Sequence, residues 1–81
     1  MSDVLGRIYT LKNLPQLAVP QLKDAVSAVP GNALYHYHLG TAYRRMGESE
    51  LALDEFKRAL QLDGTFADAN QARQFIASMG R

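Results

Sequence analysis

The chain has no cysteine among its 81 residues. Disulfides, a thiolate nucleophile and any Cys-based zinc site are therefore excluded, while cytosol and periplasm both remain compatible. There is little excess charge of either sign. A formal +1 provides none of the concentrated basic face on which nucleic-acid binding draws. No uninterrupted apolar run approaches the roughly 18–20 residues of a membrane span. The N-terminus lacks the basic-then-apolar order of a signal peptide, although a signal lost with a longer parent protein would leave no trace. The expectation is a soluble chain with no nucleic-acid partner and no membrane insertion. It is cytoplasmic by default, or periplasmic if cut from a longer exported protein. What is present is ordinary: 47% apolar and 21% charged residues, enough for one small folded domain with a modest core.

Chemistry-bearing constellations are scarce as well. His36 and His38 stand two residues apart and point to different sides of a helix, whereas a helical metal pair needs i, i+4. His36 is expected to pack within the fold and His38 to face outward. No Ser or Thr has a His-and-acid arrangement implied by spacing. Glu48 and Glu50 flank a helix start, where negative charge is favoured. The six glycines are scattered and mostly end helices, so no loop cradles a phosphate. No catalytic residue, metal or cofactor is expected, and the chain reads as non-enzymatic.

The positive signal is internal repetition. Leu5, Gly6 and Tyr9 return 34 residues on as Leu39, Gly40 and Tyr43. Leu17 and Ala18 return as Leu51 and Ala52, and Lys23 and Ala25 as Lys57 and Ala59. Leu22 becomes Phe56 and Val26 becomes Leu60, so those sites stay apolar. A fixed period of this length marks a repeat architecture, in which each unit buries its apolar face against its neighbours.

Five helices are predicted. Ser2 caps a short one reaching about Lys12, and Asn13-Leu14 breaks it. Pro15 suits the first turn of the second, which carries Ala18, Leu22, Ala25, Val26 and Val29 on one face. Pro20 falls a few residues into it, where a proline costs about 3 kcal/mol in a helix interior. Either the helix starts late, near Ala18 or Val19, or it starts at Pro15 and kinks. Pro30-Gly31 stops it, and Asn32 caps the third helix, whose face is Tyr35, Leu39, Ala42, Tyr43 and Met46. Gly47 is a left-handed terminator. Ser49 is the expected cap of the fourth helix, with Ala52, Phe56, Ala59 and Leu60 inward and an Asp54–Arg58 pair at i, i+4 outward. Asp63-Gly64 breaks the chain again. Thr65 with Asp68 resembles a capping box for a fifth helix through about Met79.

Leu39-Gly40, Tyr43, Gly47, Ala52, Phe56 and Ala59 together resemble the tetratricopeptide repeat, a 34-residue helix–turn–helix unit. The likeness gives one full unit over 33–66, with His36 where Trp or Tyr is usual and Gly64 where Pro is usual. A preceding unit over about 1–32 has Leu5-Gly6, Tyr9, Ala18, Leu22, Ala25 and Pro30, with Asn13 in place of the turn glycine. Over about 67–80 the pattern fails: Arg73-Gln74 stand where Leu-Gly belongs, and Ala77 where an aromatic belongs. Phe66, Ala69, Ala72 and Ile76 keep an apolar stripe, as a capping helix requires. The fold implied is an all-α solenoid of two repeats plus a cap, similar to bacterial repeat proteins that scaffold secretion, pilus or envelope complexes. Gly40 and Ala52 would let paired helices approach closely. Tyr9, Tyr43 and Phe56 would be core.

The resemblance also implies a function. First helices of successive repeats line a concave groove that binds peptides or partner helices. Carried over, the groove presents Asp3, Arg7, Thr10 and Leu11, then Leu34, Tyr37, Thr41, Arg44 and Arg45, then Asp68, Gln71 and Phe75. Arg7, Leu11, Tyr37, Thr41, Arg44, Gln71 and Phe75 are the leading candidates, suited to an apolar or acidic segment. Arg44 and Arg45 also sit at a helix C-terminus, where cations are favoured without any ligand. Repeats that clamp a chaperone's C-terminal carboxylate carry Asn where this chain has Arg7 and Thr41, which argues against that subtype. The expected role is a scaffold or adaptor with a protein or peptide partner. The alternatives are a unit that self-associates through an uncapped N-terminal face, or the C-terminal piece of a longer array.

Overall fold

The computed structural model describes residues 5–8, 12–66 and 68–79. The fold is all-α. Four helices follow one another: α1 (Pro15–Ala28), α2 (Ala33–Arg45), α3 (Ser49–Leu62) and α4 (Ala69–Met79). Residues 5–8 are also helical, and the Lys12 amide donates to the Ile8 carbonyl at 3.0 Å. The expected Ser2 cap, the aromatic site at Tyr9, and the groove candidates Asp3, Thr10 and Leu11 lie outside the described residues. Each helix packs chiefly on the next in sequence, α1 on α2, α2 on α3 and α3 on α4, which is how helical hairpins stack.

Turn chemistry explains most of the boundaries. Asn13 adopts φ 60° and Gly47 φ 82°, the left-handed conformation that Asn and Gly tolerate best. At the end of α2, the Gly47 amide donates to the Arg44 carbonyl and the Glu48 amide to the Tyr43 carbonyl at 2.9 Å. This paired closure satisfies carbonyls that the helix end would leave open. Asn32 caps α2, its Oδ1 accepting from the Tyr35 amide at 3.1 Å.

Two expected caps do not form. Ser49 is already the first residue of α3, and Glu48 holds the cap position without a side-chain bond. Because the Glu48 amide is engaged in closing α2, the chain turns helical one residue too early for the serine hydroxyl to cap it. Thr65 turns backwards: its hydroxyl and amide both donate to Asp63 Oδ1, at 2.6 and 2.9 Å. Its side chain is thus spent on the turn, and α4 begins at Ala69. The Asp54–Arg58 pair is also missing; the ion pair found among the described residues joins His36 to Glu55.

Helix α1 starts at Pro15, not near Ala18 or Val19, and runs through Pro20. The proline ring removes the bond that its amide would have given to the Gln16 carbonyl. Gln16 and Pro20 are both exposed, so water reaches the side of the helix where the bond is lost. The inward residues Ala18, Leu22 and Ala25 remain buried on the other side.

The core runs along the helix seams. Ala18, Leu22, Leu39, Ala42, Ala52, Phe56, Ala59 and Ala72 form its centre. In each unit a glycine faces a large side chain. A Cβ on Gly6 would lie 2.5 Å from Leu22 Cγ, and one on Gly40 would lie 2.7 Å from Phe56 Cε1. Both distances are shorter than van der Waals contact allows, so the large residue is seated in space that only glycine leaves. That close fit justifies glycine in mid-helix, where it costs about 1 kcal/mol relative to alanine.

The turns at the ends of α1 and α3 share another feature. The carbonyls of Pro30 and Gly64, one period apart, each accept from a side chain of the following helix. His36 Nε2 lies 2.8 Å from the first, and Arg73 Nη2 donates to the second at 2.6 Å. Arg73, which breaks the Leu-Gly pattern, therefore latches α4 to the turn it follows.

Candidate functional site

Tyr37, Thr41 and Arg44 recur at i, i+4 and i+7 along α2, so they lie on one face of that helix. Tyr37 is half-buried. Its ring stands 5.4 Å from that of Phe56 and 5.5 Å from that of Phe66, centroid to centroid, and contacts His38 edge-on at 5.9 Å. Thr41 donates its hydroxyl to the Tyr37 carbonyl at 3.1 Å, a back-bond to the preceding turn.

Helix α4 supplies the opposite wall. Phe75 meets Phe56 edge-to-face at 5.0 Å, a favoured arrangement for aromatic pairs. The Arg44 guanidinium lies over the outer side of the assembly, its Cζ 5.3 Å from the Phe75 ring centroid, within cation–π range. Arg44 therefore bridges α2 to α4 while its head remains exposed.

The electrostatics around Tyr37 are mixed. Burial pushes its hydroxyl above the ordinary phenol value, and the negative charge of Asp68 adds to that rise. A hydrogen bond with Thr41 and the charge of Arg44 pull the other way. Asp68 and Arg44 thus act on one hydroxyl with opposite sign, and Tyr37 stays neutral at physiological pH.

The structure brings Tyr37, Thr41, Arg44, Asp68 and Phe75 together. The other candidates stand apart from them. Arg45 lies at the far end of α2, in an open depression of about 370 Å³ lined also by Asn13, Pro15, Gln16 and Met46. Arg7, Leu34 and Gln71 are exposed, and Leu11 lies outside the described residues. Phe56 and Phe66 complete the aromatic cluster from beneath. Their part in the site is absent from the sequence pattern, which marks both simply as apolar core.

No group of three or more His, Asp or Glu able to hold a metal occurs among the described residues. No described helix is long and apolar enough to cross a membrane.

Stacked helical hairpins with a 34-residue period define an α-solenoid. Residues 33–66 match the tetratricopeptide repeat family model, which places this segment of the chain in that family. No match is found among curated proteins.

Proposed function

We propose that this chain is a non-enzymatic protein-interaction module, a scaffold or adaptor, whose α2/α4 face holds a partner segment. Tetratricopeptide repeats generally mediate protein–protein interaction. One observation supports this face in particular: the exposed Arg44 guanidinium stacked on Phe75. The contact places the guanidinium beside Phe75, and a guanidinium suits bidentate recognition of a carboxylate. Beside it, Tyr37 and Phe75 offer rigid aromatic area at low entropic cost. The partner best suited is a peptide or helix with an apolar side chain next to an acidic one. Asp68, at the Tyr37 end, sets the opposite polarity there and would orient such a segment. Photo-crosslinking from position 41, followed by peptide identification, tests the proposal. Capture of acidic-apolar segments that Arg44→Glu abolishes is the expected result. Capture indifferent to Arg44→Glu and Phe75→Ala would count against this face.

A second reading has its own observation. Leu39 and Ala42 are 3% and 0% exposed, with α1 packed against their helix. One period earlier, Leu5 and Ile8 are 37% and 42% exposed. That N-terminal face is shaped to receive another helix, supplied by a further repeat or by a second copy. Light scattering across a concentration series separates these sources: a strict monomer rules out the second copy.

A further inference from the structure

We infer that the depression between the start of α1 and the end of α2 is a second binding site, separate from the α2/α4 face, for an acidic side chain of a partner segment. It measures about 370 Å³ and is lined by Asn13, Pro15, Gln16, Arg45 and Met46. Pro15 is buried, and the other four are exposed. Three of these side chains carry N–H donors: the fork of Arg45 and the amides of Asn13 and Gln16. No acidic residue lines the depression. Among the described residues, Arg45 makes no ion pair, and none of the three donors makes a side-chain hydrogen bond. A guanidinium grips a carboxylate with two parallel bonds, and side-chain amides can donate to the lone pairs that the fork leaves open.

The next junction of the array provides an internal comparison. One period on, Gly47, Ser49, Glu50 and Met79 stand at the positions of Asn13, Pro15, Gln16 and Arg45. Glycine replaces one amide, an acid replaces the other, and methionine replaces the cation. The repeat therefore does not demand this donor set. Asn13 keeps its amide at φ 60°, in the left-handed region, where the second unit has glycine at φ 82°. The end of α2 favours a cation without any ligand, but that field accounts for neither amide. The next charges along the chain, Lys12 and Glu48, are exposed and of opposite sign, so Arg45 sets the local charge.

Consecutive helical residues point about 100° apart. Arg44 accordingly turns to Phe75, while Arg45 turns to the depression. Leu14, Leu17 and Met46, in or next to the lining in sequence, are large exposed hydrophobics. The depression is open, so a chain can cross it instead of ending in it. The occupant that fits is an Asp or Glu side chain within a segment that also carries a leucine-like side chain.

The test is a peptide titration of the folded chain, followed by NMR of the Asn13 and Gln16 side-chain amides and the Arg45 Nε–H. The probe is a short peptide of Leu, Ala and a single Glu, acetylated at its N-terminus and amidated at its C-terminus. A control peptide has Gln in place of Glu. The signals should move saturably with the Glu peptide. Binding should weaken by about tenfold or more with the Gln peptide, and equally in Arg45→Gln, the scale of a lost hydrogen bond to a charged group. Gln16→Glu, which gives the depression the acid of the second junction, should also remove binding. Signals that stay still, that move alike with both peptides, or that respond as strongly in Arg45→Gln would overturn the inference. Movement with protein concentration alone would assign the depression to a second copy and overturn it too.

Discussion

Leu22 stands over Gly6 in the first unit; one period later, Phe56 stands over Gly40. The backbone solution is the same and the filling differs. The second unit uses a flat ring, clamped between Tyr37 and Phe75, with α1 and α4 packed on its two sides. The first uses a branched aliphatic, in a unit that leaves Leu5 and Ile8 exposed. A period in sequence therefore preserves helix spacing, while neighbours on both sides decide how tightly each seam closes. The second unit carries the candidate site, and the same aromatic cluster fills its seam.

The largest test of that difference removes the large residue. Phe56→Ala is expected to cost about 3–5 kcal/mol, in the range for a buried aromatic. Leu22→Ala falls within about 2–5 kcal/mol and should lie below it. Chemical unfolding measures both. If Leu22→Ala proves the more damaging, the first unit is the better packed of the two. Phe56→Ala also removes the ring beneath Tyr37 and Phe75, so it should weaken partner capture along with stability.

Filling the glycine is the next test. A Cβ at position 40 presses on ring atoms of a residue only 2% exposed, so Gly40→Ala is expected to cost about 1–3 kcal/mol, the usual price of overpacking. Gly6→Ala should cost at least as much, because its added Cβ would lie 2.5 Å from Cγ of Leu22, which is 0% exposed. Adding Phe56→Leu to Gly40→Ala removes the ring that the new methyl presses on and puts a smaller side chain opposite it. The double variant should then be more stable than the sum of the single effects implies. Simple additivity would show that the ring and the glycine do not compete for space.

Much of this architecture is legible in the residues. The period, the helix faces and the left-handed turns at Asn13 and Gly47 follow from local rules that tertiary contacts do not override. The details that local rules do not reach share a cause: a group suited to its nearest backbone task is claimed by a neighbour in space. Ser49 does not cap because the Glu48 amide is drawn back to Tyr43. Thr65 bonds to Asp63, leaving α4 without the expected box. Arg73 reads as a polar break, yet it holds the Gly64 carbonyl. His36 is legible as buried, but its partners Glu55 and Pro30 lie 19 and 6 residues away, and no helical spacing links them. Within the site, Tyr37, Thr41 and Arg44 share a face by periodicity alone. The stacking of Arg44 on Phe75 depends on the placement of α4, which the repeat pattern no longer describes.

The two left-handed turns offer a smaller comparison. Gly47 has φ 82° and open space around its Cα, so Gly47→Ala should be destabilising through backbone strain alone, by about 1–2 kcal/mol. Asn13 has φ 60°. Asn13→Gly relieves a milder strain and should raise stability by well under about 1 kcal/mol. Equal and opposite shifts in the two variants would mean that Asn is no better than other non-glycine residues at this turn.

The smallest expected effect is confined to one unit by sequence. Asp63 accepts from the Thr65 hydroxyl and amide, and these bonds hold its carboxyl below the ordinary carboxylate value, the hydroxyl contributing most. One period earlier the position is Val29, which cannot titrate. A lowered folded-state value means that the turn's contribution is present above the unfolded carboxylate's value and is lost as pH falls through the folded one. Asp63 is fully exposed, so the change is small and screened by salt. Carbon NMR of the Asp63 carboxyl should show a midpoint below 3.8 in the wild type, moving upward in Thr65→Val, where the hydroxyl is gone and the amide bond remains. An unchanged midpoint in Thr65→Val would mean that the amide alone fixes this turn. The second unit's exit would then rest on an amide-to-carboxylate bond, where the first unit's has the Val29 amide donating to the Ala25 carbonyl at 3.0 Å.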